Sequence, residues 1–150
     1  MANWPQVSID IIEKELDMCF ACGQNNPIGL KINFARDGKT ARAEFTPNNF
    51  HQGWAGVVHG GIITCLLDEA MSYAALFEGV NSLTAKMQTR FRRPAKIDEL
   101  LIITASLTKK TRKLVEAKAE MWLKDGTPVA DSTATMFILN PKEGKSPKRI

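Results

Sequence analysis

His59, Gly60 and Gly61 are consecutive, and Asp68 follows nine residues after the histidine. Two successive glycines let a ligand atom come close to backbone N–H groups, and where a helix begins those groups have no intrahelical acceptor. Such a helix start favours an anion or a developing oxyanion. Asp68 lies about two and a half turns further on, inside the otherwise apolar stretch Leu66-Leu67-Asp68-Glu69-Ala70-Met71. The bland explanation places Asp68 and Glu69 on an exposed helix edge, the usual fate of helical acids. The sharper one joins a carboxylate to an oxyanion donor, which is what addition of water to a carbonyl requires.

Other residues offer other chemistry. Between residues 79 and 97 stand Lys86, Arg90, Arg92, Arg93 and Lys96 with no acid among them. Such a run suits a phosphate-bearing ligand, or an exposed strand edge charged against aggregation. Cys19 and Cys22 form one CxxC, but a structural zinc site takes four ligands and no second pair exists, so no metal is expected. No βαβ unit surrounds the pair, which argues against a thioredoxin-like role. Trp54, Met71, Tyr73 and Phe77 could line an apolar pocket or simply fill the core, and Cys65 reads as a small buried hydrophobe. His51 reads as a loop residue without chemistry.

Positioning these residues requires a particular order of elements. A short amphipathic helix is expected over 6–18, followed by an ordered loop from Cys19 through Gly29 rich in turn formers. Strands are expected over 30–35 and 40–46 around the turn dipeptide Asp37-Gly38. Apolar residues then recur around most of a helix running from about 60 to 77, so that helix must be buried. Four strands follow over 82–93, 99–108, 113–124 and 127–139, the third with clear alternation from Val115 to Leu123 and a turn at Asp125-Gly126 before the fourth. The layout is α+β, an antiparallel sheet curled around one helix.

The chain has 150 residues, 44% hydrophobic and 24% charged, with a net charge of +4, which excludes collagen-like, low-complexity and natively disordered classes. One domain over 1–150 is expected, with 140–150 a basic, aperiodic tail. The longest apolar run, 60–67, is too short to span a bilayer, and the first residues carry no secretory pattern. Three cysteines fit a reducing compartment, so a cytoplasmic location without membrane contact is expected. The basic run has only Phe91 interleaved, which offers no stacking platform for nucleic acid.

The segment from Gly53 to Met71 resembles the signature of hot-dog-fold acyl-CoA thioesterases, specifically the PaaI-like group, and Cys19-Phe-Ala-Cys-Gly-Gln-Asn-Asn-Pro27 matches a loop at the start of some of its members. The resemblance implies a curved antiparallel sheet around a central helix, edge-to-edge dimers that often pair into tetramers, and sites shared between protomers. It implies an acyl-CoA substrate and no cofactor. Asp68 is then the catalytic carboxylate, as general base or nucleophile, Gly60 gives the oxyanion N–H, His59 shapes the turn and Thr84 orients water from the partner. Gly61, Trp54 and Met71 would contact substrate, and Arg90 and Arg92 would meet the phosphates of coenzyme A. Several relatives carry asparagine six residues before the histidine, where this chain has Gly53, which leaves that role unfilled or taken by Gln52. Two rival readings are a hot-dog hydratase or dehydratase, for which His51 with Glu69 is the available pair, and a non-catalytic acyl-CoA-binding module.

Overall fold

The computed structural model describes residues 17–139. The helix expected over 6–18 and the tail over 140–150 therefore lie outside the described residues, apart from a turn at 17–18. Six strands, β1 (Ala35–Asp37), β2 (Thr40–Phe45), β3 (Ser82–Phe91), β4 (Leu101–Lys110), β5 (Leu114–Leu123) and β6 (Pro128–Ile138), form one sheet in the order β1-β2-β4-β5-β6-β3. Every pairing is antiparallel. The sheet packs on helix α1 (Gly60–Phe77), which touches β2, β3, β4, β5 and β6.

Alternation sets the inner face. Along β5, Val115, Ala117, Ala119, Met121 and Leu123 are buried against α1, while Lys118 is exposed and Glu116, Glu120 and Trp122 are partly so. Alanines recur on both buried surfaces: Ala105, Ala117, Ala119, Ala130 and Ala134 of the sheet and Ala70, Ala74 and Ala75 of α1 are all buried. Small side chains on both surfaces let the helix approach the sheet closely and leave the volume to Leu66, Leu67 and Met71, which are fully buried. By length and composition α1 could cross a membrane. Its packing inside the curved sheet makes it the core helix instead.

The helix ends as its sequence dictates. Gly79 takes a positive φ of 78°, its N–H donates to the Leu76 carbonyl, and Val80 donates to Ala75 and buries its side chain. Gly38, also at positive φ, makes the β1–β2 turn, where Asp37 pairs with Thr40. The strand expected over 30–35 is not formed up to residue 34. Leu30 and Ile32 donate instead to the carbonyls of Phe20 and Ala21, and Lys31 between them sits at φ 54°, which breaks an extended run.

Candidate active site

His59 is the N-cap of α1. Its Nδ1 accepts the Gly61 N–H at 2.8 Å, and its carbonyl accepts from Ile62 and Ile63. Of the first-turn donors only the Gly60 N–H has no acceptor among the described residues. Gly61 and Gly53 have steric reasons that Gly60 lacks. A Cβ on Gly61 would lie 3.0 Å from His59 Nδ1, and one on Gly53 would lie 3.2 Å from His59 Cα. A Cβ on Gly60 would meet only the Phe91 ring at an ordinary 3.6 Å, so that ring stands beside the free donor.

The loop before His59 is self-satisfied. A 3-10 turn over Asn49–His51 is capped by Asn48, whose side chain accepts from Phe50 and whose N–H donates to His51 Nδ1. Burial lowers the His51 pKa. Gln52 accepts from Gly56 with its Oε1 and donates to the Asn49 carbonyl with its Nε2. That amide is tied into the loop, so it does not take over the absent asparagine's role here.

Asp68 is partly buried on the flank of α1 that faces β3. The Thr84 hydroxyl of the same chain donates to its Oδ1 at 2.6 Å, where the sequence reading placed Thr84 in the site from a partner. The β3–β6 register explains the aim. Thr84 pairs with inward Met136, but Lys86 pairs with outward Thr135, so one extra residue, Ala85, bulges between them. Strict alternation would have put Thr84 on the same face as Lys86; the bulge turns it inward.

Asp68 and Gly60 of one chain do not converge. Eight residues of α1 separate them, about 12 Å along the axis. A hydrogen bond, a C=O and an attack distance together span only about 7 Å. One thioester carbonyl therefore cannot be held by Gly60 and approached by Asp68 of the same protomer.

Several expected contacts fall elsewhere. Met71 is fully buried in the core between α1 and the sheet, so it cannot line a substrate pocket. Trp54 is 87% exposed on the loop. Arg90 and Arg92 do share one face, but it is the outer face, away from α1 and Asp68, where they line a shallow groove with Lys118 and Trp122. They are also paired. Both guanidinium Nε atoms meet Asp131, Arg90 at 3.3 Å and Arg92 in a closer contact. Burial alone would raise the Asp131 pKa, but the hydrogen bonds and charges of Arg92 and Arg90 outweigh it and hold the carboxyl below its ordinary value. The acid missing from the basic run comes from the neighbouring strand.

Glu69 is not on an exposed edge. It is 9% exposed, and the Cys19 thiol donates to its Oε1 at 3.8 Å across fifty residues of sequence. Sulfur or oxygen atoms of Cys19, Cys22 and Glu69 all lie within 4.8 Å of one another. His51 stands at the entry of α1, where its carbonyl accepts the His59 N–H, while Glu69 lies ten residues, about 15 Å, further along. The His51–Glu69 acid–base pair does not form within a chain. A signal for the thiol and carboxylate cluster was present: Cys65, Glu69 and Tyr73 recur every four residues and so share one helix face.

Comparison with known proteins identifies the arrangement. Residues 55–130 match the model of the thioesterase superfamily. Human acyl-coenzyme A thioesterase THEM5 is 24% identical over 117 residues, 78% of this chain and 47% of the relative, and an uncharacterized protein of Schizosaccharomyces pombe is 28% identical over 112 residues, 72% and 64% respectively. This chain thus spans only part of the length of the curated relatives it matches. Among solved structures, a thioesterase superfamily protein superposes with a TM-score of 0.76 at 22% identity, covering 91% of this chain and 70% of that one. Escherichia coli PaaI gives 0.69 at 20% identity over 74% and 81%. A Streptococcus pneumoniae hypothetical thioesterase with coenzyme A gives 0.68 at 18% over 71% and 84%. The helix wrapped by a six-stranded antiparallel sheet is the hot-dog fold, and the chain belongs to the thioesterase superfamily.

Proposed function

We propose that the protein hydrolyses acyl-CoA thioesters to a free acid and coenzyme A, at a site assembled from two copies of the chain. The Asp68 carboxylate, held by Thr84 at 2.6 Å beneath β3, carries this reading. One copy supplies Asp68 as general base or nucleophile, and the other supplies the Gly60 N–H to the carbonyl oxygen. The axial gap between the two residues favours such sharing, because neither half is complete alone. Loss of one oxyanion donor typically costs ~10² to 10³ in rate, so Gly60 is a principal contributor.

Supporting observations come from several directions. The human relative is named an acyl-coenzyme A thioesterase, and structural neighbours were solved with coenzyme A or acetyl CoA. Solved variants of the pneumococcal protein replace an aspartate and a threonine sixteen residues apart, the separation of Asp68 and Thr84 here. The sheet ends on β3, whose Leu83 and Phe91 are exposed, and Phe50 and Trp54 project nearby from the loop around His59. An unpaired edge with exposed apolar groups beside both half-sites suits a homodimer formed through β3. A cytoplasmic location belongs to the same proposal and rests on the sequence alone, whose three cysteines suit a reducing compartment.

Thiol release from short, medium, long and aromatic acyl-CoA thioesters tests the proposal. Turnover that Asp68→Asn removes supports it. Binding of the whole panel without turnover would leave an acyl-CoA-binding module.

A further inference from the structure

The residues beneath the Cys19–Gly29 loop form a second arrangement, separate from the Asp68–Thr84 pair. Glu69 points away from the direction of its neighbour and toward the loop, as successive helix residues rotated by about 100° must diverge. Its carboxylate meets the sulfurs of Cys19 and Cys22, and the three ligand atoms all lie within 4.8 Å. We propose that Cys19, Cys22 and Glu69 bind one divalent transition-metal cation of the zinc class, with the fourth position left to water or to Cys65 one helical turn away.

Geometry carries the proposal. A tetrahedral ion with sulfur at ~2.3 Å and carboxylate oxygen at ~2.0 Å separates those two atoms by about 3.5 Å. The Cys19 sulfur and Glu69 oxygen are 3.8 Å apart, so a small contraction closes the site. The Cys22 N–H points at the Cys19 sulfur at 3.4 Å, an outer interaction that supports a thiolate. The loop is also fixed before any ion arrives. Gly23 donates to the Cys19 carbonyl, Asn25 to the Asp17 carbonyl and the Asn26 side chain to the Met18 carbonyl. A Cβ on Gly23 would lie 2.4 Å from the Asp17 oxygen and 2.5 Å from the Cys19 nitrogen, so only glycine permits this fold of the CxxC.

The donor set selects the ion. Two thiols with one carboxylate are poor ligands for magnesium or calcium and good ones for zinc or cobalt. Thiolate is the ligating form, so binding of the ion would release the two thiol protons to solvent. Its structural effect would be to clamp the loop onto α1 at the residue next to Asp68. The proposal is independent of the thioesterase reading.

A cobalt titration of the full, reduced, chelator-stripped chain tests it. One equivalent of Co²⁺ is expected to give thiolate-to-cobalt charge-transfer absorption, to be displaced by Zn²⁺, and Zn²⁺ should raise Tm. Cys22→Ser should abolish the band, and Glu69→Gln should weaken Co²⁺ binding by about tenfold or more. The unmutated chain reads the site directly, so a variant that fails to fold does not affect the test. Free thiols with no charge-transfer band, or a reversible Cys19–Cys22 disulfide in place of cobalt binding, would overturn it. Unchanged affinity in folded Glu69→Gln would overturn the ligand set.

Discussion

Thr84 reaches Asp68 only because β3 carries one residue too many. Its hydroxyl donates to Asp68 Oδ1 at 2.6 Å, and the register step between Thr84 and Lys86 is what points it inward. The hydrogen bond orients the Asp68 carboxylate toward β3. In the proposed reaction Thr84 is a positioning residue and Asp68 the catalytic one.

Asp68→Asn preserves shape and removes the base. It should lower kcat by ~10² or more with Tm little changed. Steady-state kinetics and a thermal melt check both halves, and a variant retaining full kcat would remove Asp68 from the chemistry.

Thr84→Val should lower kcat about tenfold with KM nearly unchanged, since the carboxylate remains but its aim is lost. Thr84→Ser, which restores the hydroxyl, should recover most of the rate. An active Thr84→Val beside an impaired Thr84→Ser would mean that the methyl group, not the hydrogen bond, matters.

The cap makes a separate prediction. His59→Ala removes the acceptor of the Gly61 N–H and should cost about 0.5–2 kcal/mol of stability in urea unfolding. Gly61→Ala should also destabilise, because its Cβ would press on His59 Nδ1 at 3.0 Å. Gly60→Ala meets only ordinary contact with Phe91 and should fold normally. A similar loss of stability in all three would show that the cap is not what distinguishes the two glycines.

Asp131 should make stability acid-sensitive. Its carboxyl is held below the ordinary value in the folded chain, so the pairing contributes above the unfolded value of about 3.9 and is lost as pH falls through the folded value. Exposure of Arg90 and Arg92 keeps this contribution below about 1 kcal/mol. Urea unfolding of Asp131→Asn should therefore differ from the unmutated chain at pH 7 and converge with it at low pH. No convergence would mean that the ion pairs contribute nothing.

Arg90→Ala and Arg92→Ala should change KM equally for a CoA thioester and the matching pantetheine thioester, since these side chains face away from Asp68. A rise confined to the CoA substrate would mean that the outer groove of one copy serves the site of another.

Helix α1 was legible to the residue because its apolar pattern is continuous and His-Gly-Gly marks its start. Strand β5 was legible because one face is buried and one is wet. Directions that depend on distant partners were not. Nothing local reveals that Lys31 sits at positive φ, that Ala85 bulges, or that Glu69 faces a thiol fifty residues away. Asp131 escaped for the same reason, since it joins Arg90 and Arg92 only across the β3–β6 register. Candidate residues were thus recognisable by type and spacing, while the company they keep was set by tertiary pairing.

A bare helix N-terminus attracts phosphate because several N–H groups converge on it. In α1 the cap has already claimed all but one: Gly61 serves the His59 ring, and Ile62 and Ile63 serve its carbonyl. What remains is monovalent in hydrogen-bonding terms. It can serve one oxygen, as a carbonyl becoming an oxyanion presents, but it is poorly matched to a tetrahedral anion that needs several donors at once. In the proposed reaction the histidine would thus match the helix end to a single carbonyl oxygen rather than to a tetrahedral anion, without touching the ligand.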